Sequence, residues 1–219
     1  MITPRGLLLD FGGVISVSLF ERHRETEAAL GLRAGSLGWL GPIAPETDAL
    51  WQAMQREELT EREYWARRAA ELGTAAGESG WDVQTLMQRV RQSDPAAVVR
   101  PEMRQLIAAA RTQGLRLGIL SNDLQLFYGA EFLARMAVTE QFDAVIDATH
   151  TGVLKPDARA YAHAVEQMRL AAGEILFVDD QFRNIAGAVR AGMQTQQFEL
   201  RDIPGSFAAI RARLRLAIA

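Results

Sequence analysis

Gly6-Leu7-Leu8-Leu9-Asp10-Phe11-Gly12-Gly13-Val14 is the stretch that decides the reading of this chain. The run Gly6–Leu9 is apolar without alternation, as expected of a strand buried on both faces of a parallel sheet. It stops on a carboxylate, and the two glycines that follow suit a turn in which backbone amides approach an anion. In an open α/β sheet, ligands bind outside the carboxyl ends of the strands, so the groups that follow each apolar run carry the functional information.

Four further runs have strand length: Leu115–Leu120, Ala144–Ile146, Ile175–Val178 and Met193–Phe198. Helical periods separate them. Pro101 suits a first helical position before Met103, Leu106, Ile107 and Ala110, and Gly114 closes that helix. Ile203, Phe207, Ile210 and Leu214 repeat at helical spacing near the C-terminus. Alternation of this kind predicts an α/β fold, a doubly wound parallel sheet of Rossmann-like type. From about Phe20 to Ala97 there is no convincing strand. Thr60-Glu61-Arg62-Glu63 is a capping box followed by Tyr64, Trp65, Ala69 and Leu72, with Gly73 expected as the stop. Val83, Leu86, Met87 and Val90 form a second helical stripe. The chain therefore divides into an α/β core (1–19 and 98–219) and an all-helical insert (20–97), with Trp39, Trp51, Trp65 and Trp81 expected as helix packing.

The composition limits the function. The 219 residues are 48% hydrophobic and 23% charged, with 24 basic against 27 acidic side chains. That suits a soluble globular protein and disfavours a nucleic-acid binder, which would carry a basic excess. The absence of cysteine excludes disulfides and thiol catalysis. No apolar run approaches the ~20 residues of a membrane span, and no signal peptide is visible, so a cytoplasmic location without a membrane partner is expected.

The strand ends carry the chemistry. The first ends in Asp10, the second in Ser121-Asn122-Asp123, and the fourth in Asp179-Asp180; the third leads through His150 and Gly152 to Lys155-Pro156-Asp157. Each alone is weak, since a carboxylate there can simply cap the next helix and a lysine can be solvated. Four together, on one edge, point to a site. These motifs resemble the haloacid dehalogenase superfamily, in its phosphatase-like branch, over almost the whole chain. Asp10 through Val14 match the family's nucleophile motif, Ser121-Asn122 its second, Gly152-Val153-Leu154-Lys155-Pro156-Asp157 its lysine motif, and Asp179-Asp180 with Asn184 and Gly187 its acidic motif. The 20–97 insert resembles the family's helical cap.

The resemblance implies a hydrolase acting on a small phosphorylated metabolite, a sugar phosphate among the candidates, through an aspartyl-phosphate on Asp10. It implies Mg²⁺ held by Asp10, the Gly12 carbonyl and Asp180, with Asp179 assisting directly or through water. Lys155 would neutralise charge, and Ser121, Asn122 and the Gly13 amide would donate to phosphoryl oxygens. A mobile cap would exclude water. The partner expected is the small-molecule substrate, and the chain itself is expected as a monomer or homodimer.

One position departs from the pattern. Family phosphatases usually carry a second Asp two residues after the nucleophile as general acid and base, and this chain has Gly12. Such a group contributes typically ~10²–10⁴-fold. Glycine at 12 also suits a positive-φ turn, where an Asp would strain the loop. His23 and Ser16 are candidate substitutes for the acid; His150 and His163 read as surface or packing residues. A phosphomutase normally keeps the second Asp and is disfavoured. Two alternatives stay open: a 2-haloacid dehalogenase-type hydrolase, which also lacks that Asp and needs no metal, and a noncatalytic phosphoryl-ligand binder.

Overall fold

The computed structural model describes residues 2–91 and 94–216. Positions 92 and 93 of the expected helical insert, and positions 1 and 217–219 of the expected core, lie outside the described residues. Five strands, β1 Gly6–Leu9, β2 Arg116–Ser121, β3 Ala144–Asp147, β4 Ile175–Asp179 and β5 Gln194–Gln197, pair in parallel in the order β3-β2-β1-β4-β5. The helices are α1 His23–Ala29, α2 Ala49–Gln55, α3 Glu61–Ala75, α4 Val83–Val90, α5 Pro101–Thr112, α6 Leu124–Tyr128, α7 Ala130–Ala134, α8 Ala148–Thr151, α9 Ala158–Met168, α10 Phe182–Arg190 and α11 Ile203–Leu214.

The strand pleat divides the apolar residues between two layers. Leu7, Leu9, Ile119 and Val178 join Met103 and Ile107 of α5 and Ile210 of α11 in one cluster. Leu8, Leu120 and Phe177 join Tyr161 and Met168 of α9 and Ala188 of α10 in the other. A Cβ on Gly118 would lie 2.5 Å from Met168 Sδ, so the glycine lets α9 approach β2. The expected doubly wound α/β sheet is present. The strand β5 differs from its expected apolar character: Gln194–Gln197 are all half-buried, as suits an edge strand whose polar side chains discourage further pairing.

Between β1 and β2 the described residues form helices, short helical turns and loops. The capping box at Thr60 is made as expected, with Glu63 N donating to Thr60 Oγ1 at 3.2 Å and Thr60 N to Glu63 Oε2 at 2.6 Å. Gly73 does not stop α3. A Cβ there would come 2.7 Å from Trp81 Cγ, so Gly73 makes room for that ring, and the stop is Gly77 at φ +79°. Trp51, Tyr64, Leu72 and Leu86 of this segment belong to the same apolar cluster as Leu9, Phe11 and Ile15. Trp51, Trp65 and Trp81 are buried as expected; Trp39 is half-buried. No described helix is long and apolar enough to cross a membrane.

Candidate active site

The strand order reverses between β1, which leads outward to β2 and β3, and β4 on its other side. This switch point is where an open sheet leaves a crevice. Asp10 closes β1 and Asp179-Asp180 close β4, directly across that crevice. Phe11–Ile15 then form a wide turn in which Ser16 N donates to Phe11 O at 2.9 Å. Gly13 takes φ +77°, and a Cβ on it would sit 3.1 Å from Asp180 Oδ2. Both facts require glycine. Gly12 is different: its φ is −68°, and no atom lies within 4 Å of the Cβ it lacks. The expectation that position 12 needs a positive φ is therefore wrong; the strained position is 13.

Lys155 is 2% exposed, and its ammonium bridges Asp10 Oδ1 at 2.8 Å and Asp179 Oδ2 at 2.7 Å. Burial alone would lower its pKa, but the two carboxylates outweigh that and hold it above the ordinary lysine range. Asp179 is wholly buried and also accepts from Gln181 N at 2.8 Å and Asn184 Nδ2 at 3.0 Å. Its oxygens are engaged in fixing Lys155 and the start of α10. Burial pushes the Asp10 carboxyl up to about 7, against the pull of Lys155, and Asp179 adds to the rise. Asp180 is raised as well, by burial and then by the Asp179 and Asp10 charges.

One carboxylate oxygen from each of Asp10, Asp179 and Asp180 lies within 4.8 Å of the others, the one cluster of potential metal ligands among the described residues. All three donors are hard oxygens gathered in a buried crevice. That donor set fits Mg²⁺. Neither His150 nor His163 joins it.

Ser121 ends β2 and Asn122 follows; both are buried at the crevice and line its chamber. Asn122 has its amide engaged, accepting from Lys155 N at 2.7 Å and donating to Glu61 Oε2 at 2.7 Å. These contacts tie the Asn122 side chain to the Lys155 backbone and to the first turn of α3. His23 does not reach the chamber. It packs against Trp39 with ring centroids 4.5 Å apart, and burial lowers its pKa, so it is no proton source for this site. Ser16 does line the chamber, with Tyr128 Oη donating to its Oγ at 3.3 Å.

Four residues here were not singled out by the sequence. Arg100 donates to Gly13 O at 2.9 Å and pairs with Glu21, bracing the glycine turn from outside. Glu61 lines the chamber, and Arg62 reaches Asp123 at 2.6 Å, so the first turn of α3 is tied to the end of β2. Arg183 of α10 donates to Met54 O at 3.3 Å, a second tie. Burial raises the Asp123 carboxyl to about 7, against Arg62.

The sheet, the switch-point crevice and the lysine-bridged carboxylates define a haloacid dehalogenase-like hydrolase. The chain belongs to that family, whose match spans residues 4–192. Among curated relatives, phosphoserine phosphatase of Thermus thermophilus is 28% identical over 87% of this chain and 79% of that one. Phosphatase MT3486 of Mycobacterium tuberculosis is 33% identical over 43% of each chain. (S)-2-haloacid dehalogenase 1 of a Pseudomonas species is 25% identical over 81% of this chain and 82% of that one. The chain spans 43% of the length of the Mycobacterium protein and 9% of another relative, mouse acyl-CoA dehydrogenase family member 10. The crystal structure of the HAD-hydrolase YfnB of Bacillus subtilis shares the fold, with a TM-score of 0.66 at 19% identity over 89% of this chain and 86% of that one.

Proposed function

We propose that the protein is a Mg²⁺-dependent phosphatase that cleaves a small phosphate monoester through an aspartyl-phosphate on Asp10. The observation that carries this reading is the buried Lys155 ammonium between Asp10 and Asp179, with Asp180 completing an oxygen cluster. Asp10 attacks phosphorus with one carboxylate oxygen, the ester oxygen departs with its electron pair, and water then hydrolyses the acyl phosphate. Lys155 holds Asp10 in place and offsets the charge that gathers as two anions meet. Ser121 Oγ and the Gly13 amide donate to phosphoryl oxygens, and Asn122 fixes the lysine backbone. Asp10, Asp180 and the Gly12 carbonyl would hold the ion, with Asp179 behind them. When bound, Mg²⁺ supplies the positive charge that lets a carboxylate approach a phosphoryl group.

We assign 20–97 as a cap over a core of 1–19 and 98–219, with the Arg62–Asp123 and Glu61–Asn122 contacts as its latch. Gly12 and the dehalogenase relative favour a second reading, in which Asp10 forms a carboxylate ester with a 2-haloacid. Asp180 beside Asp179 weighs against it, because a metal-free displacement gains nothing from a second buried acid. Release of inorganic phosphate from a panel of phosphate esters, with Mg²⁺ and with chelator, tests the proposal. Mg²⁺-dependent release supports it. Halide release from 2-chloropropionate in chelator would replace it with the second reading, and no turnover of either kind would leave a noncatalytic phosphoryl-ligand binder.

A further inference from the structure

The chamber beyond Asp10 is walled by aromatic rings. Phe20 packs on Trp51 and Trp65 with centroids 5.3 and 5.5 Å apart, and Trp65 meets Phe127 at 5.5 Å. Met87 and Val90 of α4 complete the lining. Most of the polar groups that share this space are tied into the surrounding protein, Asp123 Oδ2 being a buried oxygen left without a hydrogen-bond partner. Ser18 Oγ donates to Glu21 at 2.8 Å, Asp123 accepts from Arg62, and Glu61 accepts from Asn122. Gln181 Oε1 accepts from Arg183 Nε at 3.0 Å. Of the two guanidiniums in the lining, Arg91 donates to Tyr128 O at 2.6 Å, and Arg22 is engaged as well. A sugar would bring several hydroxyls against walls that are largely aromatic and aliphatic, and each hydroxyl left unpaired there costs binding. An apolar group gains from the same walls, and Met87 can adapt to its shape.

Building on the phosphatase reading, we propose that the substrate is a phosphate monoester of a hydrophobic alcohol, with an aliphatic, isoprenoid-like or aromatic group filling the chamber and the phosphoryl group at Asp10. Recognition of the organic part is by apolar burial, with charge contacts confined to the phosphoryl end.

Straight-chain alkylphosphonates, which cannot be hydrolysed, test this without relying on turnover. Their binding to the Mg²⁺-loaded protein is read by quenching of tryptophan fluorescence, since Trp51 and Trp65 line the space. Affinity should rise about threefold to fourfold for each added methylene until the chamber is full. The partly exposed Phe127 allows a mild variant: Phe127→Ala should weaken the decyl compound more than the ethyl compound. A parallel kinetic series of primary alkyl phosphates, whose leaving groups have nearly constant pKa, should show the same rise in kcat/KM. A flat chain-length series, with a sugar phosphonate binding as tightly as decylphosphonate, overturns this inference and leaves the phosphatase reading intact. Rising affinity without phosphate release from any ester supports the apolar site and overturns the phosphatase reading alone.

Discussion

Replacing Asp10 by Asn should make the metal-free protein more stable at neutral pH while abolishing its activity. The folded-state carboxyl sits at about 7, pushed up by burial, against an ordinary value of 3.8. Between those values the folded state keeps a proton that the unfolded chain has lost. The contribution of Asp10 to stability is therefore full below about pH 4 and is lost as the pH rises through about 7. The gap from 3.8 to about 7 corresponds to about 4 kcal/mol, at 1.36 kcal/mol for each pH unit. Asn keeps the shape and an acceptor for Lys155 Nζ without the charge. At about pH 8 in chelator, Asp10→Asn should exceed wild type by about 2–4 kcal/mol, and near pH 4 the two should agree. The raised carboxyl of Asp123 pushes both proteins in the same direction, whereas loss of the Asp10 charge also relieves part of the rise of Asp180 and adds to the variant's gain. The assay is urea unfolding followed by tryptophan fluorescence across this pH range. Added Mg²⁺ should shrink the gap by stabilising wild type more, because a bound ligand favours the folded state. A variant equal to or weaker than wild type at pH 8 in chelator would refute the reasoning; the Lys155 pair would then more than offset the burial of Asp10.

Lys155→Met should lower turnover by about 10²–10³ and destabilise the metal-free protein by about 3–5 kcal/mol at neutral pH, as unpaired buried carboxylates do; steady-state kinetics and urea melts check both. Gly12→Asp should fold normally, with a melting temperature within a few degrees of wild type, because the position has an ordinary φ and open space. It should help poor leaving groups most, flattening the slope of log(kcat/KM) against leaving-group pKa; an equally steep slope would mean that the new carboxyl does not reach the departing oxygen. Arg62→Gln should release the first turn of α3 from Asp123, costing about 1 kcal/mol and raising KM several-fold with little change in kcat; limited proteolysis of the helical segment should accelerate in parallel.

The strand ends were legible because they obey local rules: apolar runs stop on a carboxylate, a serine or a carboxylate pair, and the sheet places those stops on one edge. Lys155 read as a site residue for the same reason, from the company of its motif. Failures arose where long-range packing decides. Gly73 has the letter of a helix stop, but Trp81 fills the space of its missing side chain and the helix continues. His23 stands near the start of the helical segment in sequence yet turns into the aromatic cluster with Phe20 and Trp39. Arg100 braces a turn 87 residues away, and Glu61 and Arg62 meet residues 61 positions distant. No periodicity or motif encodes such contacts. Glu61 belongs to the capping box at the start of α3 and also accepts from Asn122 across the chamber. Gly12 and Gly13 were indistinguishable as letters, and only the backbone angles separate the strained position from the open one.

The central claim is that Asp10 carries the phosphoryl group. Rapid acid quench of the Mg²⁺-loaded protein during turnover of a phosphate ester, followed by mass spectrometry of the Asp10 peptide, tests it most directly. The account predicts a phosphorylated Asp10 that appears at a rate no slower than kcat and is absent in Asp10→Asn. Steady phosphate release with an unmodified Asp10, or turnover that survives in Asp10→Asn, would contradict it.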